Sequence, residues 1–161
     1  MNKVIEAIVE IPMGTQNKYE IDKARNRIKL DRVLYTKMTY PAEYGYIEET
    51  LADDGDPLDI LILASSQTFP GCIVDARVVG YLDMTDNGLK DDKIIAVVNS
   101  DPRFEEINEI TDIQHHLLRE ISHFFSTYKD LQVDKVVSVG EFHPCSEALT
   151  LLERCKANYK K

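Results

Sequence analysis

The stretch DGDPLDILIL occupies residues 54–63 and places three carboxylates directly before an unbroken apolar run. An apolar run of this length is typical of a strand that is covered on both faces. Ionised carboxylates at its start would repel one another by roughly 3 kcal/mol for each pair at about 5 Å, with an effective dielectric of about 20. The stretch therefore predicts either a solvated acidic turn or a site where a hard cation holds the carboxylates together.

The composition is that of an ordinary globular domain. The chain has 161 residues, 43% hydrophobic and 29% charged, with a net charge of −9. No linker or repeat divides the sequence, so we expect one domain spanning residues 1–161. The acidic charge and the lack of a basic stripe argue against nucleic-acid binding. With no long apolar span and no signal peptide, we expect no membrane insertion and no export.

The cysteines indicate a reducing compartment. Cys72, Cys145 and Cys155 are odd in number and show no paired spacing. Free thiols in the cytoplasm fit this pattern best, and a catalytic cysteine is the less favoured alternative.

The pattern of apolar and polar residues predicts short strands first and helices afterwards. Strands are predicted at residues 4–12, 18–22, 27–31, 44–47, 58–63, 72–82, 94–98 and 136–142. A capping box formed by Thr111 and Gln114 predicts a helix that runs to Leu131, and Ser146 opens a second helix that ends near Tyr159. This order favours an α+β domain, built as a small barrel with flanking helices because a barrel protects the strand edges.

Acidic residues gather in two loops, each of which adjoins an apolar strand. They are Asp54, Asp56, Asp59, Asp86 and Asp91. Loops carried by a rigid sheet often hold catalytic groups, whereas a single aspartate before glycine often only caps a turn. An EF-hand is excluded because Pro57 interrupts the loop and the flanking elements are strands. The histidines lack zinc spacing with the cysteines, so surface or packing roles are favoured for them.

Basic and aromatic side chains complete the pattern. The candidates are Lys18, Arg32, Lys93, Lys129, Tyr44 and Tyr128. Taken singly, each of these cations could be a solvated side chain, and each tyrosine could be a core residue with a wet hydroxyl. The residues alone therefore predict an acidic cation site beside several basic groups. A small polyphosphorylated molecule, bound through metal, is the natural ligand of such a site.

Several motifs follow one another along nearly the whole chain. They are Glu10-Ile11-Pro12, Lys18-Tyr19-Glu20, Asp31-Arg32, Tyr40-Pro41, Tyr44-Gly45-Tyr46-Ile47, residues 54–60, Met84-Thr85-Asp86 with Asp91 and Lys93, His123-Phe124-Phe125, and Tyr128-Lys129. In these motifs the chain resembles the soluble, magnesium-dependent inorganic pyrophosphatases of family I, bacterial type. One departure is Gly88, which lies one residue earlier than in many relatives, although the spacing from Asp86 to Asp91 is kept.

The resemblance implies a role for each matching side chain. Those expected to hold several Mg²⁺ ions are Asp54, Asp59, Asp86, Asp91 and Glu10. Asp56 is expected to act as the general base on a metal-activated water, and Glu20 to act from behind the ligands through water. Those expected to bind the two phosphates are Lys18, Arg32, Tyr44, Lys93, Tyr128 and Lys129.

The resemblance also implies the fold, the reaction and the assembly. The fold is expected to be a five-stranded β-barrel of the oligonucleotide-binding type with helices packed outside. The reaction is hydrolysis of pyrophosphate to two orthophosphates by direct water attack, in a cytoplasmic homohexamer. The alternative is a non-enzymatic barrel module that binds structural cations. A nucleoside triphosphate hydrolase is disfavoured because the sequence lacks a phosphate-binding Gly-x-x-x-x-Gly-Lys loop.

Overall fold

The computed structural model describes residues 2–161. The strands are β1 (Val4–Ile11), β2 (Asn17–Asp22), β3 (Arg27–Val33), β4 (Glu43–Tyr46), β5 (Asp59–Leu63), β6 (Ile73–Asp86), β7 (Leu89–Lys90), β8 (Lys93–Val98) and β9 (Val137–Pro144). The helices are α1 (His115–Thr127) and α2 (Cys145–Tyr159), preceded by short 3₁₀ turns at Pro102–Phe104 and Ile110–Asp112. Within the described residues, no helix is long and apolar enough to cross a membrane.

A closed ring of strands forms the centre of the structure. The order is β1-β4-β5-β8-β6, and β6 pairs again with β1 to close the ring. The β5–β8 pair is parallel, and the other pairs around the ring are antiparallel. Strand β9 extends the sheet from β6, and β2 and β3 form a separate hairpin. Closure removes the exposed edges of the ring. The predicted α+β barrel with helices is confirmed.

Strand β5 is buried on both faces, as its apolar sequence predicts. Ile60 and Ile62 belong to the hydrophobic cluster that also contains the inner face of α2. Leu61 and Leu63 belong to a second cluster, together with the aromatic residues of α1. Because successive side chains of a strand point to opposite faces, β5 is packed on both sides and holds its first residue, Asp59, in a fixed place.

The predicted start and end of the first helix are wrong. Thr111 does not cap it: α1 begins after Gln114, whose side chain makes no capping hydrogen bond. The capping box found here pairs Glu109 with Asp112 around a 3₁₀ turn, and the extended backbone of Ile113 separates that turn from α1. At the other end, α1 stops at Thr127 rather than Leu131. A capping-box pattern therefore indicated a helical turn here, but with the wrong residues and before the helix itself.

Gly45 lies where two strands of the ring come closest. It faces Val9 of β1 on one side and Ile60 of β5 on the other. A Cβ atom at this position would overlap the carbonyl oxygen of Ile8. Since that oxygen belongs to the backbone of the barrel, it could move only if the β1–β4 pairing shifted.

We expect Gly45→Ala to destabilise the protein by about 3 kcal/mol, because the added methyl group must displace strand β1. The matched control is Gly14→Ala. Gly14 has a φ of +81° with no atom within 4 Å of the added Cβ, and it should lose only about 1 kcal/mol through backbone strain. Urea unfolding measures both free energies. Equal losses in the two variants would contradict the close approach of β1 and β4.

Candidate functional site

One cavity of about 390 Å³ brings together every site residue predicted from the sequence. Its acidic lining residues are Glu10, Glu20, Asp54, Asp56, Asp59, Asp86 and Asp91. Its basic and phenolic lining residues include Lys18, Arg32, Lys93, Lys129, Tyr44 and Tyr128. The structure thus places the predicted residues on the wall of one cavity, and the role of each remains a prediction.

The turn before β5 aims its carboxylates by local hydrogen bonds. Asp54 Oδ1 accepts the backbone N–H of Asp56 at 3.0 Å. Gly55 has a φ of +90°, which favours glycine, and its N–H donates to the carbonyl of Ala52 at 3.1 Å. Burial raises the pKa of Asp54 above its ordinary value. The turn therefore presents Asp54 and Asp56 at the mouth of the cavity.

A tight hairpin brings the second acidic loop to the same cavity. Asn87 and Gly88 both have positive φ values, 49° and 82°, as a two-residue hairpin turn requires. The Asp91 N–H donates to the Met84 carbonyl at 2.9 Å, which folds the chain back after the hairpin. Asp86 and Asp91 consequently both face the cavity, and the predicted Asn-Gly turn is confirmed.

Lys93 is the central cation of the site. Its ammonium group, on a side chain only 2% exposed, donates to Asp59 Oδ2 at 2.6 Å and to Asp91 Oδ1 at 2.7 Å. It also donates to the Tyr44 hydroxyl at 3.0 Å and lies 5.8 Å from the centre of the Phe125 ring. Burial alone would lower the pKa of Lys93, but the oxygens of its partners raise it well above the ordinary value. Lys93 is therefore held as a buried cation.

Two carboxylates share this single ammonium, and the charge does not balance. Burial raises the pKa of Asp91 to about 7 against the lowering effect of Lys93, and the Asp59 charge raises it further. Burial also raises the pKa of Glu10 to about 7, although the Ile21 N–H donates to its carboxylate at 3.3 Å. Both shifts come first from burial, which disfavours the ionised carboxylate, and the neighbouring Asp59 charge adds to each.

A second lysine pairs with the other acidic loop. The Lys129 ammonium contacts Asp86 Oδ2, and burial lowers the pKa of Lys129. The other oxygen, Asp86 Oδ1, is buried and has no hydrogen-bond partner among the described residues. An unpartnered buried carboxylate oxygen is a position where a further cation would be stabilising.

The β2–β3 hairpin provides the cations of the opposite rim. Lys18 pairs with Arg32 in the strand register. Both reach Asp31, from Lys18 Nζ at 3.4 Å and from Arg32 Nε at 3.6 Å. Arg32 also donates to Gln132 Oε1 at 3.3 Å. Asp31 thus contacts both cations, which the sequence analysis did not predict.

Tyr40 and Tyr46 also line the cavity and were not selected from the sequence. Tyr40 is only 2% exposed, and its ring lies 5.4 Å from that of Tyr44 and 4.8 Å from that of Phe124. The signal that could have identified them is the cluster of tyrosines at positions 40, 44 and 46. A cluster of this kind is common in cores, so it does not by itself indicate a site.

The donor chemistry of the cavity fits a hard divalent cation. The acidic lining residues offer carboxylate oxygens, which Mg²⁺ prefers, and one of those oxygens is unpartnered. In this side-chain arrangement, no three His, Cys, Asp or Glu side chains of residues 2–161 are positioned together to hold a metal. Instead, Lys93 pairs with Asp59 and Asp91, and Lys129 pairs with Asp86, so cation binding would require these carboxylates to exchange partners.

Comparison with known proteins gives one consistent family. The family described as "Inorganic pyrophosphatase" matches residues 7–160. Curated proteins of that name are 56% identical in Halalkalibacterium halodurans and 54% identical in Geobacillus stearothermophilus. The alignments cover 98% and 99% of this chain, respectively, and 96% of each relative. The crystal structure of inorganic pyrophosphatase from Thermus thermophilus has a TM-score of 0.96 at 43% identity, covering 99% of this chain and 92% of that one.

Lys93→Met should destabilise the protein by about 3 kcal/mol in metal-free buffer, because it leaves two largely buried carboxylates without their counter-charge. Lys90→Met is the matched control. Lys90 is 49% exposed and pairs with Asp92 at 3.3 Å, so its loss should cost less than about 1 kcal/mol. Chemical unfolding with EDTA present compares the two. If Lys93→Met were as stable as Lys90→Met, Lys93 would not be the counter-charge of this wall.

Proposed function

The chain belongs to the inorganic pyrophosphatase family, enzymes that hydrolyse pyrophosphate, and we propose that the cavity described above is its active site. The observation that carries the proposal is the lining of that cavity, where cations from several strands face a group of carboxylates. Pyrophosphate carries several negative charges, so a chain with a net charge of −9 must create a local positive potential to bind it. Bound metal ions and the clustered lysines supply that potential.

We propose that the metal is Mg²⁺ and that several ions bind in each active site. The ligands would be Asp54, Asp59, Asp86, Asp91 and Glu10, with Glu20 acting through water. When bound, Mg²⁺ lowers the pKa of a coordinated water and neutralises charge on the phosphate oxygens. The members of the family are metal-dependent hydrolases, and the carboxylate oxygens of the cavity suit that requirement.

Asp56 is the proposed general base. It lies at the exposed mouth of the cavity. The carboxylates of the cavity that pair with Lys93 or Lys129 are Asp59, Asp86 and Asp91, and Asp56 is not one of them. Asp56 accepts the proton of the attacking water as a new oxygen–phosphorus bond forms. The bond from that phosphorus to the bridging oxygen then breaks, and the electron pair leaves with the second phosphate. No covalent enzyme intermediate is required.

The phosphate-binding residues are proposed to act as two groups with Lys93 between them. Lys18 and Arg32 on the hairpin would hold one phosphate, because Asp31 keeps both cations on the same rim. Tyr128 and Lys129 at the end of α1 would hold the other. Lys93 and Tyr44, joined by a 3.0 Å hydrogen bond, would contact the substrate between them. Holding the phosphates in line with the attacking water is most of what phosphoryl transfer asks of a protein.

Assembly and location follow the family resemblance. We propose that the chain forms one domain over residues 1–161, assembles as a homohexamer and acts in the cytoplasm. All three cysteines are free thiols, which supports a reducing compartment. The non-enzymatic alternative is not supported, because the chain belongs to a family of enzymes. An ATP assay under the same conditions tests the disfavoured triphosphatase function.

Asp56→Asn and Asp59→Asn should each reduce phosphate release from pyrophosphate by about a hundredfold or more. The first removes the proton acceptor and the second removes a metal ligand. Asp53→Asn is the matched control, since Asp53 lies next to the site in sequence but pairs with Arg154 at 3.4 Å and does not line the cavity. Phosphate release with saturating Mg²⁺ measures all three. Near-normal turnover in both site variants would overturn the assignment.

Removal of divalent cations should abolish turnover of the wild-type enzyme, and added Mg²⁺ should restore it, because the wall of carboxylates otherwise repels the substrate. The measurement is phosphate release after EDTA treatment and after Mg²⁺ is returned in excess. Far-ultraviolet circular dichroism in EDTA is the control for folding. Full activity in EDTA would contradict the proposed metal dependence.

A further inference from the structure

A second cavity adjoins the proposed active site and has no role in the proposal above. Its volume is about 250 Å³. It shares four lining residues with the first cavity, namely Asp54, Asp56, Asp86 and Asp91. Its remaining lining residues are Asn87, Leu89 and Lys135. The two cavities therefore meet at the carboxylates that are proposed to bind the metals and the attacking water.

Lys135 is the cation in the lining of this second cavity, where the other charged residues are aspartates. The side chain is exposed. Within residues 2–161, the lysines that form ion pairs are Lys18, Lys90, Lys93, Lys129 and Lys156. Lys135 is not one of them, so its ammonium group is not paired with a carboxylate. It differs in this respect from Lys18, Lys93 and Lys129 of the first cavity, each of which pairs with a carboxylate.

Asn87 holds the segment that carries Lys135. Its Oδ1 accepts the backbone N–H of Val136 at 2.9 Å, and its own N–H donates to the Val136 carbonyl at 2.8 Å. The next residue, Val137, already pairs with Asp86 in the β6–β9 register. The two residues that follow Lys135 are consequently tied to the acidic hairpin, through the Asn87 carboxamide and backbone and through the β6–β9 pairing.

We propose that Lys135 binds a phosphate group in the second cavity, as pyrophosphate enters or as phosphate leaves. All the charged residues of this cavity besides Lys135 are aspartates, which repel an anion that passes through it. The unpaired Lys135 ammonium lowers that electrostatic barrier. Asn87 is the positioning residue that holds Lys135 at the opening. The inference rests on the proposed function, because it adds a phosphate-binding residue to that same active site.

The test compares Lys135→Ala with the wild type, with Lys135→Arg and with Lys160→Ala, an exposed lysine that lines neither cavity. The probes are pyrophosphate as substrate and inorganic phosphate as product inhibitor, each with excess Mg²⁺. At low ionic strength, Lys135→Ala should lower kcat/KM or weaken phosphate inhibition by about threefold, the size expected of an exposed charge pair. A loss in kcat/KM alone indicates that Lys135 binds pyrophosphate as it enters. Weaker phosphate inhibition alone indicates that Lys135 binds phosphate as it leaves.

The salt dependence and the melting temperature of Lys135→Ala distinguish the loss of its charge from a structural effect of the substitution. The effect of Lys135→Ala should shrink at high ionic strength, because exposed charges are screened, and Lys135→Arg should restore most of the loss. The melting temperature should match that of Lys160→Ala. If Lys135→Ala and Lys160→Ala have the same kcat/KM and the same phosphate inhibition, the inference is overturned while the proposed function stands. A wild-type enzyme that releases no phosphate overturns both.

Asn87→Gly tests the positioning role without disturbing the turn. Glycine accepts the positive φ of 49° at this position and keeps the backbone N–H bond to Val136, so only the carboxamide is removed. This variant should shift the same kinetic parameter in the same direction as Lys135→Ala. The double variant should be no worse than Lys135→Ala alone, because both changes act through one ammonium group. Fully additive losses would overturn the positioning role.

Discussion

The Lys93 ammonium is the interaction on which the site depends. Strands β5 and β8 run parallel, and their register places Asp59 directly beside Lys93 at the start of both strands. A buried charge without a partner costs several kcal/mol, so the barrel can keep Lys93 inside only together with Asp59 and Asp91. The register of the one parallel pair in the ring therefore sets the geometry of the site, and the apolar packing of β5 on both faces prevents that register from slipping.

The aromatic residues around Lys93 strengthen its interactions with the two carboxylates. The Tyr44 and Phe125 rings lie 5.4 and 5.8 Å from its ammonium. Tyr128 packs edge-on against Phe125 at 5.5 Å, so α1 covers the same wall with aromatic surface. A wall of this kind excludes water, which strengthens every charge interaction inside it and makes every unbalanced charge more costly. Burial in this wall raises the pKa of Asp91, against the lowering effect of Lys93.

Particular residues show what the sequence could and could not predict. The apolar run from Ile60 to Leu63 and the Asn87-Gly88 turn depend on local rules, and both were predicted correctly. The Thr111 capping box was wrong because the same local pattern is met by a 3₁₀ turn, and only tertiary packing decides where a helix begins. That all the predicted site residues share one cavity followed from the family resemblance. The residues alone indicated only an acidic cation site beside several basic groups. The pairing of Lys93 with Asp59 could not be predicted, since it arises from strand register across 34 residues of sequence.

Charge pairing also links the binding of cations to the binding of phosphate. The lysines proposed to hold the phosphates are each paired with a carboxylate, Lys18 with Asp31, Lys93 with Asp59 and Lys129 with Asp86. A phosphate that takes Lys93 or Lys129 leaves a carboxylate of the wall without its counter-charge, and that loss is costly in a buried site. A divalent cation on the same carboxylate would remove the cost and free the lysine. Each ligand therefore makes the binding of the other more favourable, by the same free energy in both directions.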